Sequence, residues 1–407
     1  MFNNTLKKDF KMLNETMEGY PLGYFDNAAT TLKPQSVIQA ISDYYEKYSV
    51  NIHRGDYDIS FKVTDMVEKA RDNMATFINA QSADEIIYTS GATEALNLVA
   101  MGYGLANLQE GDVILTTEAE HASNILPWFE VAKKTGAIIK YLPMDEEGKI
   151  TDYTSLLTQD VKVVTMAHVS NVLGHINPVE DIIKKAHEVG AIVILDGAQS
   201  TPHLKIDVQA LDVDFFAFSG HKMLGPTGIG VLYGKEKLLQ ELMPLKSGGG
   251  ANARFNIFGE VVLKGSPAKF EAGTPHIAGI LGFDAAITYL NEVGMDKIHA
   301  YELELRNYAY EALKKMDHIT IYNPSAQSGI ISFNVKGIFS QDVCAYLSKF
   351  GFALRAGNHC AKVLHEVIKT NDTCRLSLYL YNTKEEIDRF IEVIKDITLE
   401  KTIALYI

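Results

Sequence analysis

Two short stretches carry residue types that do covalent chemistry. In Leu354-Arg355-Ala356-Gly357-Asn358-His359-Cys360-Ala361 a thiol sits in a glycine-containing loop beside basic side chains, and in Ser219-Gly220-His221-Lys222 an apolar run ends on an amine. Thiolate rather than thiol is the attacking form, and Arg355 and His359 are neighbours of the kind that bring a thiol pKa within reach of neutral pH. An amine desolvated behind an apolar strand can shed its proton and attack a carbonyl, so Lys222 suits a Schiff base. Together they imply an enzyme that uses an aldehyde cofactor and then captures an atom on sulfur.

Other residues fit that chemistry, each with a plainer alternative. Asp196 follows the apolar run 191–195, where a carboxylate can pair with a protonated pyridine nitrogen and keep the ring an electron sink. Asp is also a common helix N-cap, and Lys222 downstream favours the cofactor role. Gln199 and Asn171 could bond a phenolic oxygen on the same ring, or simply fix loops. Gly91-Ala92-Thr93 enters a helix and could hold a phosphate with backbone N–H groups and a hydroxyl, or be an ordinary helix start; Ser219 and His221 are candidate partners. His121 could stack on a planar cofactor and shuttle protons, or be a buried structural histidine. Arg355 and Arg375 could grip a substrate carboxylate bidentately, or bond water. Cys344 and Cys374 read as packing residues.

These residues need a scaffold that brings them together. From about residue 85 to 235, short β-branched runs alternate with helical patterns, which predicts a mostly parallel sheet covered by helices. Strands are expected at 85–89, 113–116, 161–166, 191–195 and 213–218, the last two buried on both faces. Helices are expected from Thr93, at 124–133 with Pro127 in the first turn, and at 179–189 behind Pro178. Polar clusters follow five strands, at Ser90, Glu118, His168, Asp196 and Ser219, and ligands of open sheets lie at that edge. Residues 248–273 read as a flexible passage ending in the Gly273-Thr274-Pro275 turn. Beyond it, helical patterns at 296–315, 341–349 and 384–397 mix with strands at 330–335 and 375–381, giving an α+β unit. The expected division is a cofactor-binding large domain at 20–265 and a small domain made of 1–19 plus 266–407.

The 407 residues exceed what one core usually serves, and 47% hydrophobic residues can fill two. A net charge of −13 argues against a nucleic-acid footprint. The stretch 1–9 lacks the apolar centre of a secretory signal, and no run is long and apolar enough to span a bilayer, so a cytoplasmic protein is expected. Three cysteines without a CxxC pair support neither a disulfide framework nor a cysteine-rich zinc site. None of the histidines forms an HExxH or HxH cluster, so no metal is expected.

Tyr24-Phe25-Asp26-Asn27-Ala28-Ala29-Thr30, Asn51-Ile52-His53-Arg54-Gly55, Asp196-Gly197-Ala198-Gln199-Ser200, Ser219-Gly220-His221-Lys222, Phe270-Glu271-Ala272-Gly273-Thr274-Pro275, the Cys360 loop and Tyr381-Asn382-Thr383 occur in order. As a set they resemble the cysteine desulfurases of the class V, fold-type-I pyridoxal-phosphate family, closely the SufS-like group. The resemblance implies an α/β transferase fold with a smaller α+β C-terminal domain, and pyridoxal 5'-phosphate held on Lys222. It puts Asp196 at the ring nitrogen, Gln199 and Asn171 near the ring oxygen, His121 over the ring face, and Ala92, Thr93, Ser219 and His221 on the phosphate. It places Thr274 on the phosphate of a partner subunit, hence a homodimer, and assigns substrate binding to Asn27, Ala28, Arg355 and Arg375.

By the same resemblance L-cysteine becomes L-alanine, with proton transfer by Lys222 and His121. A persulfide on Cys360 then passes to a SufE-like or SufU-like acceptor for iron-sulfur cluster assembly. The departures are local: Asn358 stands where many relatives have His, and Lys362-Val363 replaces a pair ending in proline. A selenocysteine lyase or another class V aminotransferase would share the cofactor residues without needing the Cys360 thiol, and a noncatalytic scaffold would need neither.

Overall fold

A computed structural model describes residues 6–405; residues 1–5 and 406–407, at the edges of the expected small domain and in the stretch read for a secretory signal, lie outside the described residues. The seven apolar runs β1 (Ile86–Thr89), β2 (Val113–Thr117), β3 (Ile138–Leu142), β4 (Val161–Ala167), β5 (Ile192–Asp196), β6 (Phe215–Ser219) and β7 (Gly230–Gly234) form one sheet in the order β1-β7-β6-β5-β4-β2-β3. Only β7 runs antiparallel to its neighbours. The carboxyl ends of β1, β2, β4, β5 and β6 therefore share one edge, and each of the five polar clusters sits on it.

Phe215, Phe216 and Phe218 are fully buried, alternating between the two faces of the sheet; each contributes roughly 2 kcal/mol by leaving water. Two glycines permit close approaches at the functional edge. A Cβ at Gly197 would overlap the Phe216 ring, and one at Gly230 would strike the Gly91 backbone, where helix α1 (Ala92–Val99) begins.

Helix α2 (Ala122–Thr135) starts two residues before its expected first residue, so Pro127 lies in its second turn rather than its first. The physical reason is an unusual cap: the His121 ring accepts from the Ser123 N–H at 3.1 Å through Nδ1. Lacking an N–H, Pro127 leaves the Ser123 carbonyl without its helical donor. Helix α3 (Val179–Glu188) follows Pro178 as expected. The supposed passage at 248–273 contains a hairpin, β8 (Asn252–Phe255) with β9 (Val261–Leu263), turned by Asn256, whose Oδ1 accepts from the Phe258 and Glu260 N–H groups.

The C-terminal residues build a second, antiparallel sheet from β10 (Ile319–Ile321), β11 (Ile330–Val335), β12 (Arg355–Gly357) and β13 (Thr373–Ser377), in the order β10-β11-β13-β12. Helices α5 (Met295–Leu313), α6 (Ser340–Ser348) and α7 (Lys384–Lys395) accompany it, while α4 (Ile277–Val293) packs in the core of the first sheet. Strand β13 stops at Ser377, short of the expected Tyr381. Past it, Tyr379 N–H turns to the Asn382 side chain at 2.8 Å, and Thr383 opens α7 with a capping box. Among the described residues, no helix is long and apolar enough to cross a membrane.

Segment 24–31 straps the two sheets together. Asn27 donates through Nδ2 to Ser377 O at 2.7 Å and to Asn382 Oδ1 at 3.1 Å, and accepts from the Tyr381 hydroxyl. Ala28 N–H reaches Ser377 Oγ at 2.9 Å, while its carbonyl accepts from Gln199 Nε2 at 2.7 Å.

Candidate active site

A cavity of about 220 Å³ opens at the strand ends, closed from the far side by the Cys360 loop and by β13. From the large sheet it is lined by Ala92 and Thr93, by His121, by Asn171, by Asp196 and Gln199, and by Ser219, His221 and Lys222; from the other side come Ala28, Arg355, Cys360 and Arg375. Asn27 does not line it, nor does Thr274, which is expected at a partner subunit's phosphate. The Asn27 side chain is fully engaged in the strap just described, and Thr274 lies exposed in separate clefts, accepting from Asn51 Nδ2 at 3.2 Å. The Asn27 side chain is a structural link within this chain.

Burial governs protonation at the sheet end. It lowers the pKa of the Lys222 amine, partly opposed by the Asp196 carboxylate, with the Arg375 charge adding to the depression. His121 is lowered by burial and then by the Lys222 charge, and His221 falls to about 4 through burial, Lys222 and Lys33. Both imidazoles are neutral at neutral pH. One residue before His121, Glu120 is buried and raised to about 7; it accepts from Thr117 Oγ1 at 2.6 Å and Asn124 Nδ2 at 2.7 Å, anchoring the start of α2.

The donors at α1 are pre-aimed. Ala92 N–H donates to Ser219 Oγ at 2.8 Å, and Thr93 and Ser123 share a hydroxyl contact at 2.8 Å. The Asp196 carboxylate accepts a turn N–H, from Ala198 at 2.9 Å, so it acts in a turn rather than as a helix cap. Gln199 leaves its Oε1 buried without a partner. This donor set fits pyridoxal phosphate: a secluded amine, a carboxylate at the sheet edge, an amide with an open acceptor, and hydroxyls with backbone N–H groups at a helix start.

The loop end is held by hydrogen bonds in an awkward backbone. Gly357, His359 and Cys360 have φ of 118°, 50° and 58°, two of them in the left-handed region without being glycine. Cys360 O accepts from Ala122 N–H at 2.8 Å, and His359 O from Asn171 Nδ2 at 2.8 Å. His365 bonds the Ala361 carbonyl through Nδ1 at 3.0 Å, which assigns the proton to Nδ1; its Nε2 then accepts from Thr373 Oγ1 at 3.4 Å. His359 Nε2 faces Thr373 O and Oγ1 at 3.1 and 3.0 Å.

His359 is therefore not the cation that the sequence led us to expect beside the thiol: burial and the Arg375 charge push it to about 2. Arg355 and Arg375 supply positive charge near Cys360. Arg375 is buried on β13, lowered to about 10 mainly by burial, and donates to Asn171 O at 2.8 Å. Asp26, quoted within its motif but given no role, accepts from both arginines. Ser123 and Thr373 were also missed, since a lone hydroxyl has no spacing to betray it. Cys374 is buried against Cys344, as packing residues should be.

A doubly covered, mostly parallel sheet with this cavity at its carboxyl edge is the architecture of a fold-type-I transferase. The chain belongs to the class V aminotransferase family, which it matches over residues 23–390, and within it to the cysteine desulfurases, enzymes that depend on pyridoxal phosphate. It is 49% identical over 94% of its length to a protein from Halalkalibacterium halodurans named "Probable cysteine desulfurase", covering 95% of that protein. It is 45% identical to one of the same name from a Synechocystis species, over 99% of this chain and 96% of the other. Among solved structures, the apo cysteine desulfurase of Thermococcus onnurineus NA1 superposes with a TM-score of 0.92 at 38% identity, covering 96% of this chain and 97% of that one.

Proposed function

We propose that the cavity converts L-cysteine to L-alanine and retains the sulfur as a persulfide on Cys360, destined for iron-sulfur cluster assembly. The observation that carries this reading is the convergence of a buried amine at 222, its pKa lowered by burial, and a loop thiol at 360 on one cavity. Lys222 would hold the cofactor through its amine, with Asp196 at the ring nitrogen, Gln199 and Asn171 at the ring oxygen, and His121 over the ring. Ala92, Thr93, Ser219 and the neutral His221 would hold the phosphate. Bound there, pyridoxal phosphate serves as an electron sink for the substrate's α-carbon.

The residues of the chain do the rest. Arg375, rigid on its strand, and Arg355 at the mouth fix the substrate carboxylate. Lys222, released from the cofactor and with its pKa lowered by burial, takes the α-proton and later returns one to carbon. The Cys360 sulfur attacks the substrate sulfur; an S–S bond forms as the carbon–sulfur bond breaks, and carbon takes up a proton to leave as alanine. The exposed side of Cys360 then offers the outer sulfur to a SufE-like or SufU-like acceptor. A free nucleophilic thiol works in a reducing compartment, which supports a cytoplasmic reaction.

Thr274 belongs to the same reading as a contact to a second copy. Its exposure outside this chain's cavity supports that reading. The β8–β9 hairpin supports a homodimer, because its turn exposes Phe255, Ile257 and Phe258, with Ile257 at 94%. Mass analysis after exposure to cysteine tests the function: one added sulfur on the Cys360 peptide is expected. Cys360→Ala should keep the cofactor's yellow colour and release no sulfur from cysteine. Unchanged turnover of cysteine by that variant would reject the reading, and release from selenocysteine alone would favour a lyase.

A further inference from the structure

Asp26 lies outside the cavity lining yet touches both of its arginines. Its Oδ1 and Oδ2 each accept from Arg355 Nε at 3.2 Å, Oδ2 accepts from Arg355 Nη2 at 3.0 Å, and Oδ1 from Arg375 Nη2 at 3.4 Å. The backbone around it is fixed by a bridge to Ser377 and by Ser377 N–H on Phe25 O at 2.8 Å. The carboxylate is thus part of the scaffold. Its side chain is 17% exposed, against 3% for Arg375 and 48% for Arg355, so it stands between a sealed guanidinium and an open one.

Two guanidinium charges and one carboxylate leave a single positive charge, the complement of one substrate carboxylate. We propose that Asp26 is a specificity-determining residue that trims the arginine pair to one net charge, so that the cavity accepts a monocarboxylate amino acid and refuses a dicarboxylate. This rests on the reading of Arg355 and Arg375 as the carboxylate-binding residues. One carboxylate held between Arg375 and Arg355 balances that net charge; a second one in the cavity finds no uncompensated guanidinium and is repelled by Asp26. Removing one unit charge several ångströms from that second carboxylate, at the effective dielectric of a partly exposed site, is worth about tenfold in its affinity. A residue that merely aligned the guanidiniums would affect acids of either charge alike.

The test titrates the holoenzyme with butyrate and with succinate, four-carbon acids carrying one and two carboxylates, and reads binding by calorimetry. In Asp26→Asn, which keeps the shape of the side chain, succinate should gain about tenfold relative to butyrate. Asp26→Glu keeps the charge and should keep the native ratio. A native ratio in Asp26→Asn, or equal weakening of both acids, overturns the proposal. Arg375→Met separates this from the underlying reading. If butyrate binds that variant as well as the native protein, the arginine assignment itself fails; if butyrate binding is lost while Asp26→Asn keeps the native ratio, only the Asp26 proposal fails.

Discussion

At the sheet end of the cavity, Lys222, His121 and His221 are all driven toward their neutral forms by burial, whereas at the loop end Arg355 and Arg375 face a carboxylate and a thiol. The first end gets its properties from seclusion behind apolar strands. The second is made by hydrogen bonds that hold a left-handed backbone in place. Seclusion yields groups ready to take protons; a pinned loop yields a sulfur at a defined place. A reaction that first moves protons on carbon and then moves sulfur needs one of each.

Breaking the sheet end has the largest effect. Lys222→Ala removes both the covalent anchor and the proton carrier, so turnover should fall by roughly 10³-fold or more. Borohydride reduction followed by mass analysis should find no pyridoxyl group tied to the chain, while the native protein carries one at 222. Native-like turnover would dissolve the distinction between the two ends.

Breaking the loop end alone should cost less. Thr373→Val keeps volume but deletes the hydroxyl shared by His359 and His365, loosening the backbone on either side of Cys360. A displacement on the order of an ångström costs up to about 10²-fold. Persulfide formation is therefore expected to slow by about tenfold to a hundredfold, with the cofactor's visible band unmoved. A shifted band, or an unchanged rate, would show that the two ends are not separable in this way.

The sheet end was legible in sequence because strands buried on both faces read as continuous apolar runs, and the polar clusters had to follow them. The loop end was legible as chemistry, since Cys360, Arg355 and Arg375 were all picked out, but not as physics. His359 looked like a cation beside a thiol; only the fold shows it buried against Thr373, where it stays neutral. The strap that engages the Asn27 side chain arises only where the two sheets meet, which no spacing in the sequence reveals. The early start of α2 was hidden because a histidine acts as its cap, a role usually held by Ser, Thr, Asp or Asn. The β8–β9 hairpin escaped because both of its faces are largely exposed, which leaves no clean period-two pattern to read.

The smallest effect sharpens the contrast at a residue that does not itself line the cavity. His168 follows β4, is buried with its Nδ1 unpartnered, and packs edge-on against Phe216 at 6.3 Å; burial alone pushes it down to about 4. In the unfolded chain its pKa is about 6.5. Between those values the unfolded chain binds the proton and the folded one does not, so stability is fully present above pH 6.5 and is lost as pH falls toward 4. From pH 7.5 to 5 this one residue should remove about 2 kcal/mol. In denaturant titrations at the two pH values, His168→Phe should therefore lose about 2 kcal/mol less than the native protein on acidification. Parallel losses would mean that the imidazole finds a way to charge in place, and that seclusion at the sheet end is weaker than its apolar strands imply.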